Sequence, residues 1–139
     1  MAAIVEDYPI LPVEAESRMR FEQPDLLTVL CAASHEEYDA ADFGIVAMDL
    51  DSVVSYYNAW ESQLSGLQPG NVIGRHFFTE IAPCTNNFMV ALKYEAEELD
   101  ELVDYVFSYR LRPVAVRLRL LKCTALSRQF LVVERATKA

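Results

Sequence analysis

An α+β fold built on a five-stranded antiparallel sheet is predicted from the order and spacing of the apolar segments in this chain. Two short strand-like runs come first, several short helical pieces follow, and three runs of period two close the chain. That order places the helices mainly on one face of the sheet, with an irregular or helical N-terminal segment as a cap. The 139 residues suffice for one core.

Taken in order, the segment 1–24 carries Pro9, Pro12 and Pro24 among scattered charges and reads as an irregular arm with a short helical piece. Pro24-Asp25 opens a helix face at Leu26, Leu27, Val29 and Leu30. Ser34 with Glu37 three residues later has the spacing of a capping box. These pieces form an N-terminal cap over 1–42, and 43–139 is the core. Gly44 to Met48 and Val53 to Tyr57 read as strands of a hairpin turned by Asp49-Leu50-Asp51-Ser52. Asn58 then caps a helix from Ala59 to Ser65, which Gly66 terminates. Gln68 to Asn71 is a turn and Gly74 a break.

From Asn86 to Asp100 the pattern is helical, with Phe88, Ala91 and Leu92 on one side. The run Glu95, Glu97, Glu98, Asp100 and Glu101 is a solvated helix face rather than a metal site. Strands are predicted over 102–110, 114–123 and 129–135. In the middle one Val114, Val116, Leu118 and Leu120 share a face, and Arg117 and Arg119 alternate onto the other, read as wet. This order of elements is that of a PAS domain.

Composition excludes several classes. Twelve Lys and Arg against 21 Asp and Glu leave a net charge of −9, which disfavours nucleic acid and anionic membrane surfaces as partners. No apolar run approaches the roughly 18 residues of a membrane span. The first residues show neither the basic region nor the long apolar segment of a secretory signal, so no leader is expected. Cys31, Cys84 and Cys123 form no metal-like cluster with His35 and His76, and a reduced cytoplasmic setting is expected.

Cys84 draws attention on chemical grounds. Ile81-Ala82-Pro83-Cys84-Thr85 sets it before a helical stretch, where a helix dipole would favour a thiolate. A buried structural cysteine is the plainer alternative, and both stand. Neither histidine sits in a nucleophile motif, so an enzyme is not expected. Glu61 and Ser65 share one helix face just after Tyr57, and taken alone Glu61 reads as a solvated helix residue. Tyr105, Phe107 and Tyr109 line one strand face, as core or as a wall for a flat ligand.

Taken together, these residues resemble the photoactive yellow proteins. The match runs from Phe43-Gly44 through Tyr57-Asn58-Ala59, Glu61, Gly66, Val72-Ile73-Gly74, Phe77-Phe78 and Ala82-Pro83-Cys84-Thr85. It resumes at Tyr105, Phe107, Tyr109 and Pro113. The resemblance implies a blue-light receptor with p-coumaric acid (trans-4-hydroxycinnamic acid) held as a thioester on Cys84. It implies that Tyr57 and Glu61 hydrogen-bond the phenolate and that Ser65 supports Tyr57. The pocket would include Val46, Leu67, Phe77, Ile81 and Thr85, with Phe107, Tyr109 and Leu111 from the other side.

An ordinary phenol has a pKa of about 10, so a buried phenolate needs donors, and Glu61 can donate only while protonated. Trans–cis photoisomerisation would then be followed by transfer of the Glu61 proton to the phenolate. The unpaired carboxylate so created would loosen the fold, the N-terminal arm first. A separate, unidentified signalling protein would read that change, and a homodimer stays open. The competing reading is a chromophore-free PAS module for binding or dimerisation.

Four departures stand out. Leu67 replaces an arginine often found over the family's pocket, the hairpin turn lacks the family's glycines, and the arm is dissimilar. Leu111 replaces a methionine thought to assist thermal return to trans. Dark recovery is therefore expected to be slow when followed by flash absorption spectroscopy, and a sub-second return would contradict this.

Overall fold

In the computed structural model, which describes residues 19–108 and 113–135, the five strands form one antiparallel sheet. The strands are β1 (Gly44–Met48), β2 (Val54–Tyr57), β3 (Glu98–Phe107), β4 (Val114–Cys123) and β5 (Arg128–Arg135), in the spatial order β2-β1-β5-β4-β3. The helices are α1 (Leu26–Ala32), α2 (His35–Ala40) and α3 (Ala59–Ser65). Between α3 and β3 the chain is made of short single-turn pieces, including a π-helical turn over Phe77–Ile81.

Local chemistry explains the elements that were legible. Ser34 accepts from the Glu37 N–H while Glu37 accepts from the Ser34 N–H, a complete capping box that starts α2. Asp49 Oδ1 accepts from the Asp51 and Val53 N–H groups and closes the hairpin, with Ser52 at φ 65°. Gly66 ends α3 at φ 81°, a left-handed position that a side chain would strain.

The segment between Cys84 and β3 departs from expectation. Instead of a helix to Asp100, the chain makes turns and a 3-10 helix over Ala91–Glu95, and β3 begins at Glu98. The Asn87 side chain accepts from the Met89 and Val90 N–H groups, offering the backbone an alternative to the α-helix. Glu98, Asp100 and Glu101 then pair with Cys123, Leu121 and Leu120 across the sheet, so ladder bonds override the helical preference of an acidic run.

Both faces of the sheet are covered at its centre, which is why every residue of β1 is buried. On the front, Val46, Met48, Leu118, Leu120, Leu131 and Val133 join Tyr57, Phe77, Phe78 and Phe107 in one cluster. On the back, Ile45, Ala47, Leu121, Phe130 and Val132 meet Met19, Phe21, Leu26, Leu30 and Tyr38 of the cap.

Where the cap lies on it, the back face is therefore not wet. Arg119 is only 6% exposed; it forks onto Asp100 and donates to the Phe21 and Gln23 carbonyls at 2.9 and 2.7 Å. Arg117 bridges Glu134 and Glu22 and lies over the Phe21 ring. The stretch from Met19 to Pro24, read from the sequence as part of an irregular arm, is thus bound by its own backbone carbonyls.

The tightest knot is Asn58, wholly buried between β2 and α3. Its Oδ1 accepts from the Ile45 and Glu61 N–H groups, and its Nδ2 donates to the Tyr38 and Phe43 carbonyls. Asn58→Ala removes a helix cap and leaves buried backbone groups unpaired, so a loss of about 3 kcal/mol or more is expected in urea unfolding. A loss under about 1 kcal/mol would contradict that role.

Candidate functional site

The site is built outward from that cap. Because Asn58 fixes where α3 begins, Glu61 and Ser65 fall on its inward face, and both are buried. Tyr57, the last residue of β2, sends its ring into the front cluster, and its hydroxyl donates to Ser65 Oγ at 2.9 Å. Ser65 Oγ also accepts from the Leu67 N–H at 3.1 Å, which ties the end of α3 to the following loop.

Glu61 meets a partner that the sequence reading did not include. Arg135, at the end of β5, donates from Nη1 to Oε1 at 2.7 Å and from Nη2 to Oε2 at 3.0 Å. The Glu61 side chain is 3% exposed and that of Arg135 13%. Burial pushes the Glu61 carboxyl above its ordinary range, and the guanidinium's hydrogen bonds and charge draw it partway back. Gly44 makes room: a Cβ there would stand 2.1 Å from Glu61 Oε1. Alternation along β5 does put Arg135 on the face of Leu131 and Val133, the one signal that could have found it.

Cys84 lies half-buried against the same cluster, in a single 3-10 turn over Pro83–Thr85. No α-helix begins behind it, so the dipole invoked from the sequence is absent from this fold. Its backbone is instead held by side chains. The Tyr105 hydroxyl and Asn87 Nδ2 both donate to the Cys84 carbonyl, and Asn87 Nδ2 also donates to the Tyr105 oxygen. Thr85 is buried and donates to the Ala82 carbonyl.

Of the remaining pocket residues, Val46, Phe77 and Phe107 are buried in the cluster, and Leu67 and Ile81 pack against it half-buried. The Arg135 guanidinium lies 5.9 Å from the centre of the Phe107 ring. Tyr109 and Leu111 lie outside the described residues. Among the described residues, no group of three metal-ligating side chains is assembled, and no helix is long and apolar enough to cross a membrane.

The fold and this site define a PAS-type sensory domain. The chain superposes on the PAS domain of an HTR-like protein from Haloarcula marismortui with a TM-score of 0.58 at 16% identity, covering 73% of this chain and 93% of that one. It superposes more closely on the photoactive yellow protein domain of the sensor histidine kinase Ppr from Rhodospirillum centenum. There the TM-score is 0.69 at 36% identity, over 74% of this chain and 94% of that one. The photoactive yellow protein of Rhodobacter capsulatus is 35% identical over 86 residues, 59% of this chain and 69% of that protein. No family model matches the chain. On these likenesses the chain belongs to the photoactive yellow protein family, as a photoreceptor-type PAS domain.

Gly44→Ala should displace Glu61 from Arg135. A destabilisation of about 1–3 kcal/mol is expected, as for other overpacked sites. It should shrink in a Glu61→Ala background, as read in a double-mutant cycle of urea unfolding. Strict additivity would show that the two residues do not share this space.

Proposed function

We propose that this protein is a blue-light receptor that carries p-coumaric acid as a thioester on Cys84, with Tyr57 and Glu61 serving the phenol oxygen. The observation that carries the reading is a convergence. Cys84, Tyr57, Phe77 and Phe107 are far apart in the chain yet border one front-face cluster, and Tyr57 shares its helix junction with buried Glu61. Apolar walls beside a half-buried thiol, with hydroxyl and carboxyl groups at α3, suit a flat aromatic ligand bearing one ionisable oxygen.

When bound, the p-coumaroyl group supplies blue-light absorption, a double bond that turns from trans to cis, and an oxygen able to carry negative charge. The chain's own residues supply the rest. Cys84 Sγ holds the thioester, with its backbone fixed by Tyr105 and Asn87. Val46, Phe77 and Phe107 keep water from the cluster, which strengthens every polar contact made there. Tyr57 offers an O–H whose present acceptor is Ser65. Glu61 stores a proton, favoured by burial, and releases it after excitation. Loosening of the fold around α3 and the N-terminal cap is the proposed signal.

In this reading residues 1–42 are the cap and 43–139 the sensory core, the setting is cytoplasmic, and the output passes to a signalling partner. The Rhodospirillum relative belongs to a sensor histidine kinase, which makes such a partner a reasonable class.

Mixing the purified protein with p-coumaric anhydride should produce a visible band that bleaches under a blue flash and returns in the dark. Cys84→Ala should abolish it. A well-folded wild-type protein that stays colourless would favour the chromophore-free PAS module instead.

A further inference from the structure

Glu61 is held more firmly than a proton store requires. Each of its two oxygens accepts a separate N–H from one guanidinium, at 2.7 and 3.0 Å. A neutral acid has an O–H that must itself donate, and it would turn that proton toward a group with donors only. The two-point fork is the geometry of a carboxylate. Gly44 leaves the space that lets this carboxylate reach down to β5, and Arg135 is largely withdrawn from water.

We propose that Arg135 is a positioning residue of the light-sensing site, holding the Glu61 carboxylate as a paired charge once Glu61 has given up its proton. The inference rests on the proposed roles of Glu61 and Cys84. In the proposed proton step, the O–H bond of Glu61 would break, the proton would pass to the phenol oxygen of the bound group, and the electron pair would stay on the carboxylate. That carboxylate does not become an orphan, because its partner is already seated. The loosening that follows then does not come from an isolated buried charge.

Other charges near the pair do not take this place. Asp104 and Tyr105 of β3, Arg117 of β4 and Glu134 of β5 line one cleft together with Arg135, and Arg20, Glu22 and Asp42 of the cap line another with it. Tyr57 of β2 adds a hydroxyl turned to Ser65. Arg117 is engaged by Glu134 and Glu22 on the back face.

The test uses the chromophore-free protein, so it does not depend on colour. Infrared titration of the carboxylic acid C=O band, assigned by subtracting the Glu61→Gln spectrum, reports the protonation of Glu61. An opposite charge in contact lowers a carboxyl pKa by about 1–3 units. Arg135→Met and Arg135→Gln should therefore raise the Glu61 midpoint by about that amount. Arg135→Lys, which keeps the charge but not the fork, should restore most of the shift.

Unchanged midpoints in the neutral variants would overturn the inference. So would a wild-type Glu61 that stays neutral up to the alkaline limit of folding, a reading that needs no Arg135 variant to fold. If the midpoints move but p-coumaric anhydride gives no colour, the photoreceptor reading fails and the Arg135–Glu61 pairing stands. If colour forms and the midpoints do not move, the reverse holds.

Discussion

The buried carboxamide of Asn58 is the contact on which the rest of the front face depends. Four backbone groups from three places, α2, the start of β1 and the first turn of α3, would otherwise be buried without partners. An amide is suited to this because it offers an acceptor and two donors on one rigid group. Leaving such groups unsatisfied costs more than the bonds contribute in isolation, so the junction has one register. That register decides which residues of α3 face inward, and so places Glu61 over Gly44 and Ser65 beside the Tyr57 hydroxyl.

A carboxylate in this position is expensive, and its cost shapes its neighbours. Burial favours the protonated form of Glu61, and Arg135 opposes that with a paired cation. Buried pairs of this kind contribute little net stability, because desolvating two ions offsets most of their attraction. In the proposed reading, the pair provides a site in which a proton's departure is neither forbidden nor free. Such opposed terms keep a titratable group poised, as functional groups need to be.

The alternation of β5 brings the site and the cap to the same place. Arg135 points to the front and holds Glu61, while the adjacent Glu134 points to the back and holds Arg117, which in turn holds Glu22. Arg119 fastens the cap one pair further along the sheet, through the Phe21 and Gln23 carbonyls. The two faces of the sheet therefore share one strand end, where neighbouring residues carry opposite charges to opposite sides. On β3, Leu102 and Val106 of the back face remain exposed, so the cap covers the centre of the sheet and not this edge.

Much of the fold was written locally. The capping box at Ser34 and Glu37, the Asn58 cap and Gly66 stop of α3, the hairpin at Asp49, and the period-two runs of β4 and β5 rest on neighbours within a few residues. One sequence contains all that is needed to read them. So did the linear motif around Cys84, Tyr57 and Glu61 that led to the family. What only the tertiary structure decided depends on residues distant in the chain. An acidic run became the start of β3 because β4 supplied its ladder. The face bearing Arg119 became dry because residues 19–42 fold over it. Glu61 acquired Arg135, 74 positions away, because β5 pairs with β1 beneath α3. Caps and alternation are set by chain geometry over a turn or two, whereas burial and charge pairing are set by whatever the fold brings alongside.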